Sequence, residues 1–162
     1  MDKILKSIAF GEWLTPESHK KRAKQAVPEG RTFHEIIQDY LEKEGLTNDN
    51  LELSCITELS ESTCSRLRTE ENYNPSIKTI LAFGIGLGIP VEEIKYLLSL
   101  KKHALSLEDS VHYAYIDVLN LYGMFGLSVE QCNKILTTWG VKEKDLLKSI
   151  EGKTKSEKCK SR

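Results

Sequence analysis

Helix-start marks, each followed by apolar residues three and four positions apart, recur along most of this chain, and no stretch sustains the period of two that a half-buried strand requires. No Asn-Gly or Asp-Gly pair is present to close a tight hairpin. Together these facts predict an all-α fold. The pattern opens at Thr32, which with Glu35 forms a capping box: hydroxyl and carboxylate each satisfy an orphan backbone N–H at the helix start. Phe33, Ile36, Ile37, Tyr40 and Leu41 then share one face, and Gly45 ends the helix.

Four more helices follow in the same style. One is predicted over 48–57, with Leu51, Leu53 and Ile56 available for burial, and one over 60–68, with Ser60 as its cap and Cys64 and Leu67 turned inward. Asn74 followed by Pro75 reads as a cap and a first helical position, where proline's missing N–H costs nothing. That fourth helix carries Ile77, Ile80, Leu81 and Ile85 and closes at Gly88; Pro90 opens a fifth, through Leu98. Beyond it, Ser106 with Asp109 is read as the cap of a helix bearing Val111, Tyr115, Val118, Leu119 and Tyr122. Gly126 and Ser128 separate that helix from one bearing Val129, Cys132, Ile135, Leu136 and Trp139, and a short helix is expected over 142–150. Ahead of Thr32 lie a possible helix over 3–13 and a basic arm; the polar tail 151–162 is expected to be disordered.

The stretch Leu53 to Leu67, LSCITELSESTCSRL, resembles the helix-turn-helix of the lambda-repressor-like (Xre) family. Leu53 and Ser54 stand at its Leu-Ala pair, Leu59 and Ser60 in its turn, and Ser62, Thr63, Ser65, Arg66 and Leu67 in register on its second helix, with Cys64 replacing a buried isoleucine. The likeness continues through Asn74-Pro75-Ser76 and LGIPVEEI. It covers about Thr32 to Leu100 and implies a five-helix lambda-repressor-like domain over 32–103; the helices read beyond it form a small C-terminal helical segment over 104–150. The resemblance also implies a non-enzymatic regulator whose partner is double-stranded DNA.

Physical reasoning supports the same register. Two short helices joined by a tight turn must bury a small residue where they cross, and Ser54 suits that place. Ser60 caps the second helix, whose N-terminal end would address the major groove. The candidate DNA-contacting residues are then Ser60 at the cap and the outward positions Glu61, Ser62, Ser65, Arg66 and Thr69. Arg66 is the best candidate for a guanine contact, because its planar fork matches the two acceptors on that base's edge. Glu58 stands where the family has glycine, so the turn is expected to take a conformation that a non-glycine residue tolerates.

Charge is unevenly spread. Residues 1–31 hold 7 basic and 4 acidic groups and residues 151–162 hold 5 and 2, whereas residues 32–103 hold 7 and 12. Lys20, Lys21, Arg22 and Lys24 could act as a minor-groove or phosphate-binding arm, or simply as a solvated linker. Glu61, Glu70 and Glu71 around the proposed face oppose phosphate and support an alternative, a protein-interaction module or inhibitor that keeps the fold but binds a protein partner. One recognition helix reads only a few base pairs, so a homodimer is expected, paired through Leu119, Tyr122, Phe125, Leu136 and Trp139 unless these pack into the chain's own core.

No cofactor or metal is expected. Cys55, Cys64, Cys132 and Cys159 form no CxxC pair, and His34, His103 and His112 have no partner at ligand or nucleophile spacing. The first three cysteines are read as buried apolar residues and Cys159 as free in the tail. GIGLG at 84–88 lacks the strand and lysine of a phosphate loop and is read as close helix packing. No apolar run reaches the roughly 18 residues of a membrane span; the apolar stretch near residue 1 is too short for a secretory signal, so none is expected, and a cytoplasmic location is expected.

Overall fold

A computed structural model describes residues 31–148, together with Pro16 and Glu17. The expected helix over 3–13, the arm bearing Lys20, Lys21, Arg22 and Lys24, and the tail with Cys159 lie outside the described residues. Among those described there are seven α-helices, one 3-10 turn and no strand. The helices are α1 (Phe33–Lys43), α2 (Asn50–Thr57), α3 (Glu61–Thr69), α4 (Ile77–Gly86), α5 (Val91–Leu100), α6 (Ser110–Phe125) and α7 (Val129–Thr138), and the turn spans Glu143–Asp145.

The caps explain most boundaries. Thr32 Oγ1 accepts the Glu35 N–H (3.1 Å), and Glu35 Oε2 accepts the Thr32 N–H (3.4 Å), closing the expected box at the start of α1. A second such box, Ser128 with Gln131, opens α7. Two caps differ from expectation. Ser76, not Asn74, caps α4 by accepting the Thr79 N–H (3.4 Å). Pro75 precedes the cap and is buried, its carbonyl accepting from His103 Nε2 (2.8 Å). Asp109 alone caps α6, accepting from Val111 (2.9 Å) and His112 (3.2 Å), while Ser106 turns its hydroxyl to the Glu108 N–H. Those two donors hold the Asp109 carboxyl below the usual carboxylate range.

The middle of the molecule is α4, where Ile80, Leu81, Ala82, Phe83 and Ile85 are all buried. A helix apolar all round has to be surrounded, and α4 packs against α2, α5 and α7. Helix α6 lies on α5, and α7 on α6. One apolar cluster therefore runs from Phe33 to Leu147, so the C-terminal helices share the core of the first five. Tyr122 Oη donates to the Ile89 carbonyl (2.7 Å) across that junction. Burial pushes its hydroxyl up to about 12, with Cys132 adding to the shift, so it stays a donor.

The short helix expected over 142–150 is, within the described residues, only the 3-10 turn Glu143–Asp145. The reason is competition for the backbone. Asn133 takes both polar groups of Leu147: its Nδ2 donates to the carbonyl (3.1 Å) and its Oδ1 accepts the N–H (2.7 Å). Cys64 and Cys132 are buried as expected, and burial pushes the Cys132 thiol up to about 11. Cys55 departs from that reading, being half-buried. Among the described residues no helix is long and apolar enough to cross a membrane.

Candidate nucleic-acid interface

Helices α2 and α3, of eight and nine residues, are joined by the three-residue link Glu58-Leu59-Ser60. Such short helices have little stability of their own and are fixed by tertiary contacts. Ser54 is fully buried at their crossing, and its hydroxyl donates to the Leu59 carbonyl (2.6 Å). Thr57 Oγ1 donates to Leu53 O (2.7 Å) and accepts the Leu59 N–H (3.4 Å). Leu59 itself is buried, so the link is pinned at its centre.

Glu58 corrects one expectation. It adopts the left-handed conformation (φ 60°, ψ 14°), the one that glycine serves best. Chain reversal within three residues demands that geometry whatever the side chain. A non-glycine residue there costs about 1–2 kcal/mol, and glycine returns part of this through its larger unfolded-state entropy. Glu58→Gly is expected to stabilise the fold by about 0.5–1 kcal/mol, measured as a higher urea midpoint at unchanged slope; a lower midpoint would refute the assignment of strain.

Ser60, read from the sequence as one of the DNA-contacting residues, is buried rather than outward-facing. Its Oγ accepts the Thr63 N–H (3.2 Å) and hydrogen-bonds Thr63 Oγ1 (2.8 Å) and Ser62 Oγ (3.1 Å). With the start of α3 fixed, Cys64 and Leu67 point into the core. Glu61, Ser62, Arg66 and Thr69 lie exposed on the opposite side, with Ser65 half-buried among them. The five sequence-predicted outward residues thus share one stripe, as their spacing along a helix requires.

Arg66 is not alone on that stripe. Its Nε lies 3.5 Å from Glu70 Oε2, and its guanidinium sits 4.8 Å from the centre of the Tyr73 ring. Arg68, not singled out in the sequence, braces the helix: its Nε donates to Asn50 Oδ1 (3.0 Å), and its carbonyl accepts from Gln38 Nε2 (2.6 Å). Nothing in the spacing of Gln38 or Asn50 marks them for this task, since each reaches across to another helix.

The stripe offers hydroxyl, carboxylate and guanidinium groups suited to hydrogen bonding. Among the described residues no three His, Cys, Asp or Glu side chains gather at metal-binding distance. His112 Nδ1 accepts the Ser106 N–H (3.1 Å) and its ring stacks on Tyr115. His103 is engaged with Pro75 O, as described above. No protein-family model, curated protein or solved structure matches this chain.

Proposed function

We propose that the chain is a sequence-specific DNA-binding regulator of the lambda-repressor-like type, with α2 and α3 as its helix-turn-helix and α3 reading the major groove. One observation carries the reading: a short, side-chain-capped helix, linked by three residues to its brace, presents Glu61, Ser62, Ser65, Arg66 and Thr69 as one outward stripe. Base edges are addressed from such a stripe by bidentate and single hydrogen bonds. The resemblance of Leu53 to Leu67 to the Xre motif supports the same roles.

Magnitudes favour Arg66 as the principal reader. Its pair with Glu70 is solvent-exposed on both sides (57% and 51%), and such helix pairs are worth about 0.3–0.5 kcal/mol. The guanidinium is itself exposed, so stacking on the half-buried Tyr73 ring adds about 0.5–1 kcal/mol. A bidentate contact to guanine discriminates by about 1–3 kcal/mol, enough to draw the guanidinium away. Arg66→Ala is expected to lower affinity for a duplex selected from a random library about 5- to 150-fold without lowering the unfolding midpoint, read by fluorescence anisotropy across a salt series. Wild-type binding should weaken steeply with salt.

A second reading rests on a specific observation of its own. The exposed groups around the stripe include Glu61, Glu70 and Glu71, and Arg66 is already engaged by one of them. A face of that sign suits a basic protein partner better than phosphate. Absence of duplex binding even at low ionic strength would sink the DNA reading and leave this one.

A further inference from the structure

Leu119, Tyr122 and Leu136, expected to pair two copies, are buried in the chain's own core. The exposed stripe of α3 remains, and on it Arg66 is held from two sides. Glu70 Oε2 approaches its Nε to 3.5 Å, and its guanidinium carbon lies over the Tyr73 ring, 4.8 Å from the ring centre. Both partners come from one short turn. The Glu70 N–H donates to the Arg66 carbonyl (2.9 Å), and the Tyr73 N–H donates to the Glu70 carbonyl (3.3 Å). Tyr73 is half-buried against the apolar core, so the ring is an anchored platform.

We propose that Glu70 and Tyr73 are positioning residues, holding the Arg66 guanidinium so that its two terminal nitrogens meet a guanine edge. The assignment rests on the DNA reading given above. A guanidinium has two usable edges, and the one made by Nη1 and Nη2 faces away from Nε. With the carboxylate nearest Nε and the ring over the central carbon, that terminal edge keeps the spacing that guanine O6 and N7 require. A guanine contact is strong enough to break both holds, but this geometry lets it form without breaking either. Helix stability does not account for Glu70. Its carboxylate stands at the negative end of the α3 dipole, and a basic residue four positions before an acidic one is the weaker order of such a pair. Attraction to DNA does not account for it either, since its charge repels phosphate. Restraining a long side chain beforehand removes part of the entropy that binding would otherwise cost. That role fits both its place and its charge.

Anisotropy titrations would compare a selected duplex with the same duplex changed at the guanine that Arg66→Ala ceases to distinguish. In Glu70→Ala the ratio of the two affinities should fall about 2- to 10-fold, while random-sequence duplex binds more tightly because an anion has gone. Glu70→Gln, which keeps an acceptor for Nε, should retain most of the ratio. An unchanged ratio in Glu70→Ala, with both duplexes bound more tightly, would overturn the proposal and leave Glu70 a simple repulsive charge. Nitrogen-15 relaxation at Arg66 Nε in the DNA-free chain separates this role from the DNA reading itself. Nε should be ordered in the wild type and more mobile in Glu70→Ala and in Tyr73→Leu. Equal mobility in wild type and Glu70→Ala would overturn the positioning role whether or not duplex binds. An ordered Nε in a chain that binds no duplex would overturn the DNA reading and, with it, the guanine contact.

Discussion

Gly86→Val is expected to destabilise the fold by about 2–3 kcal/mol, lowering the ratio of folded to unfolded chain roughly 30- to 150-fold. A Cβ at this position would lie 2.9 Å from the Ile56 carbonyl oxygen, 2.9 Å from Thr57 Cγ2 and 3.0 Å from Thr57 Cα. Two of those three atoms are backbone of the last turn of α2. They cannot yield by changing a rotamer, so α2 as a whole must retreat from α4. The helix-propensity gain of valine over glycine, a few tenths of a kcal/mol, is too small to compensate. Because Thr57 leads directly into the link that sets α3, duplex binding should fall together with stability. Gly84→Ala supplies the contrast: its new methyl would meet only side-chain atoms of Ile94, the nearest at 2.6 Å. Side-chain adjustment and improved propensity should keep that cost below about 1.5 kcal/mol. Urea titrations of both variants measure the difference, and equal losses would mean that the approach of α4 to α2 is not what position 86 serves.

These two glycines illustrate what was legible in the sequence. The GIGLG run could be recognised as packing because no strand or lysine accompanied it, but which helix each glycine admits depends on contacts between remote segments. The local signals fared well. Thr32 with Glu35, Ser60, Ser128 and the apolar periodicity around Ile36 and Leu67 act within one turn of chain, and they gave the all-α class and the outward stripe of α3. Errors arose where two local solutions compete. Asn74 and Ser76 can both cap, and Ser76 wins with Pro75 outside the helix; Ser106 and Asp109 compete likewise, and the carboxylate takes two donors. Glu58 shows a third kind of miss. The left-handed turn is imposed by the brevity of the link, and a glutamate occupies it although its own preference opposes it. Gln38 and Asn50, which steady Arg68, carried no signal because their partners lie 30 and 18 residues away.

The largest omission was Asn133, and its replacement is the other substitution expected to be severe. Asn133→Leu keeps the volume but removes the amide that serves both the N–H and the carbonyl of Leu147. Leu147 is fully buried, so neither group can turn to water. Each unpaired buried backbone group costs about 1–3 kcal/mol, and the expected loss is about 3 kcal/mol or more. The stretch concerned builds almost no hydrogen-bond ladder of its own. Lys78 of α4 donates to Lys144 O (2.6 Å), Tyr115 of α6 to Asp145 O (2.7 Å) and Asn133 of α7 to Leu147 O, so three helices hold it by its carbonyls. Burial, with the charges of Asp145 and Asp109 adding to it, pushes the Tyr115 hydroxyl up to about 12, which keeps that donor protonated across the neutral range. Removing the innermost tie should free the segment before the rest unfolds. Hydrogen exchange at the Leu147 amide should therefore accelerate well beyond that of amides in α4, while the urea midpoint falls. A loss below about 1 kcal/mol with unchanged exchange would show instead that the apolar burial of Leu146 and Leu147 suffices to hold the end of the described fold, and that its polar ties are incidental.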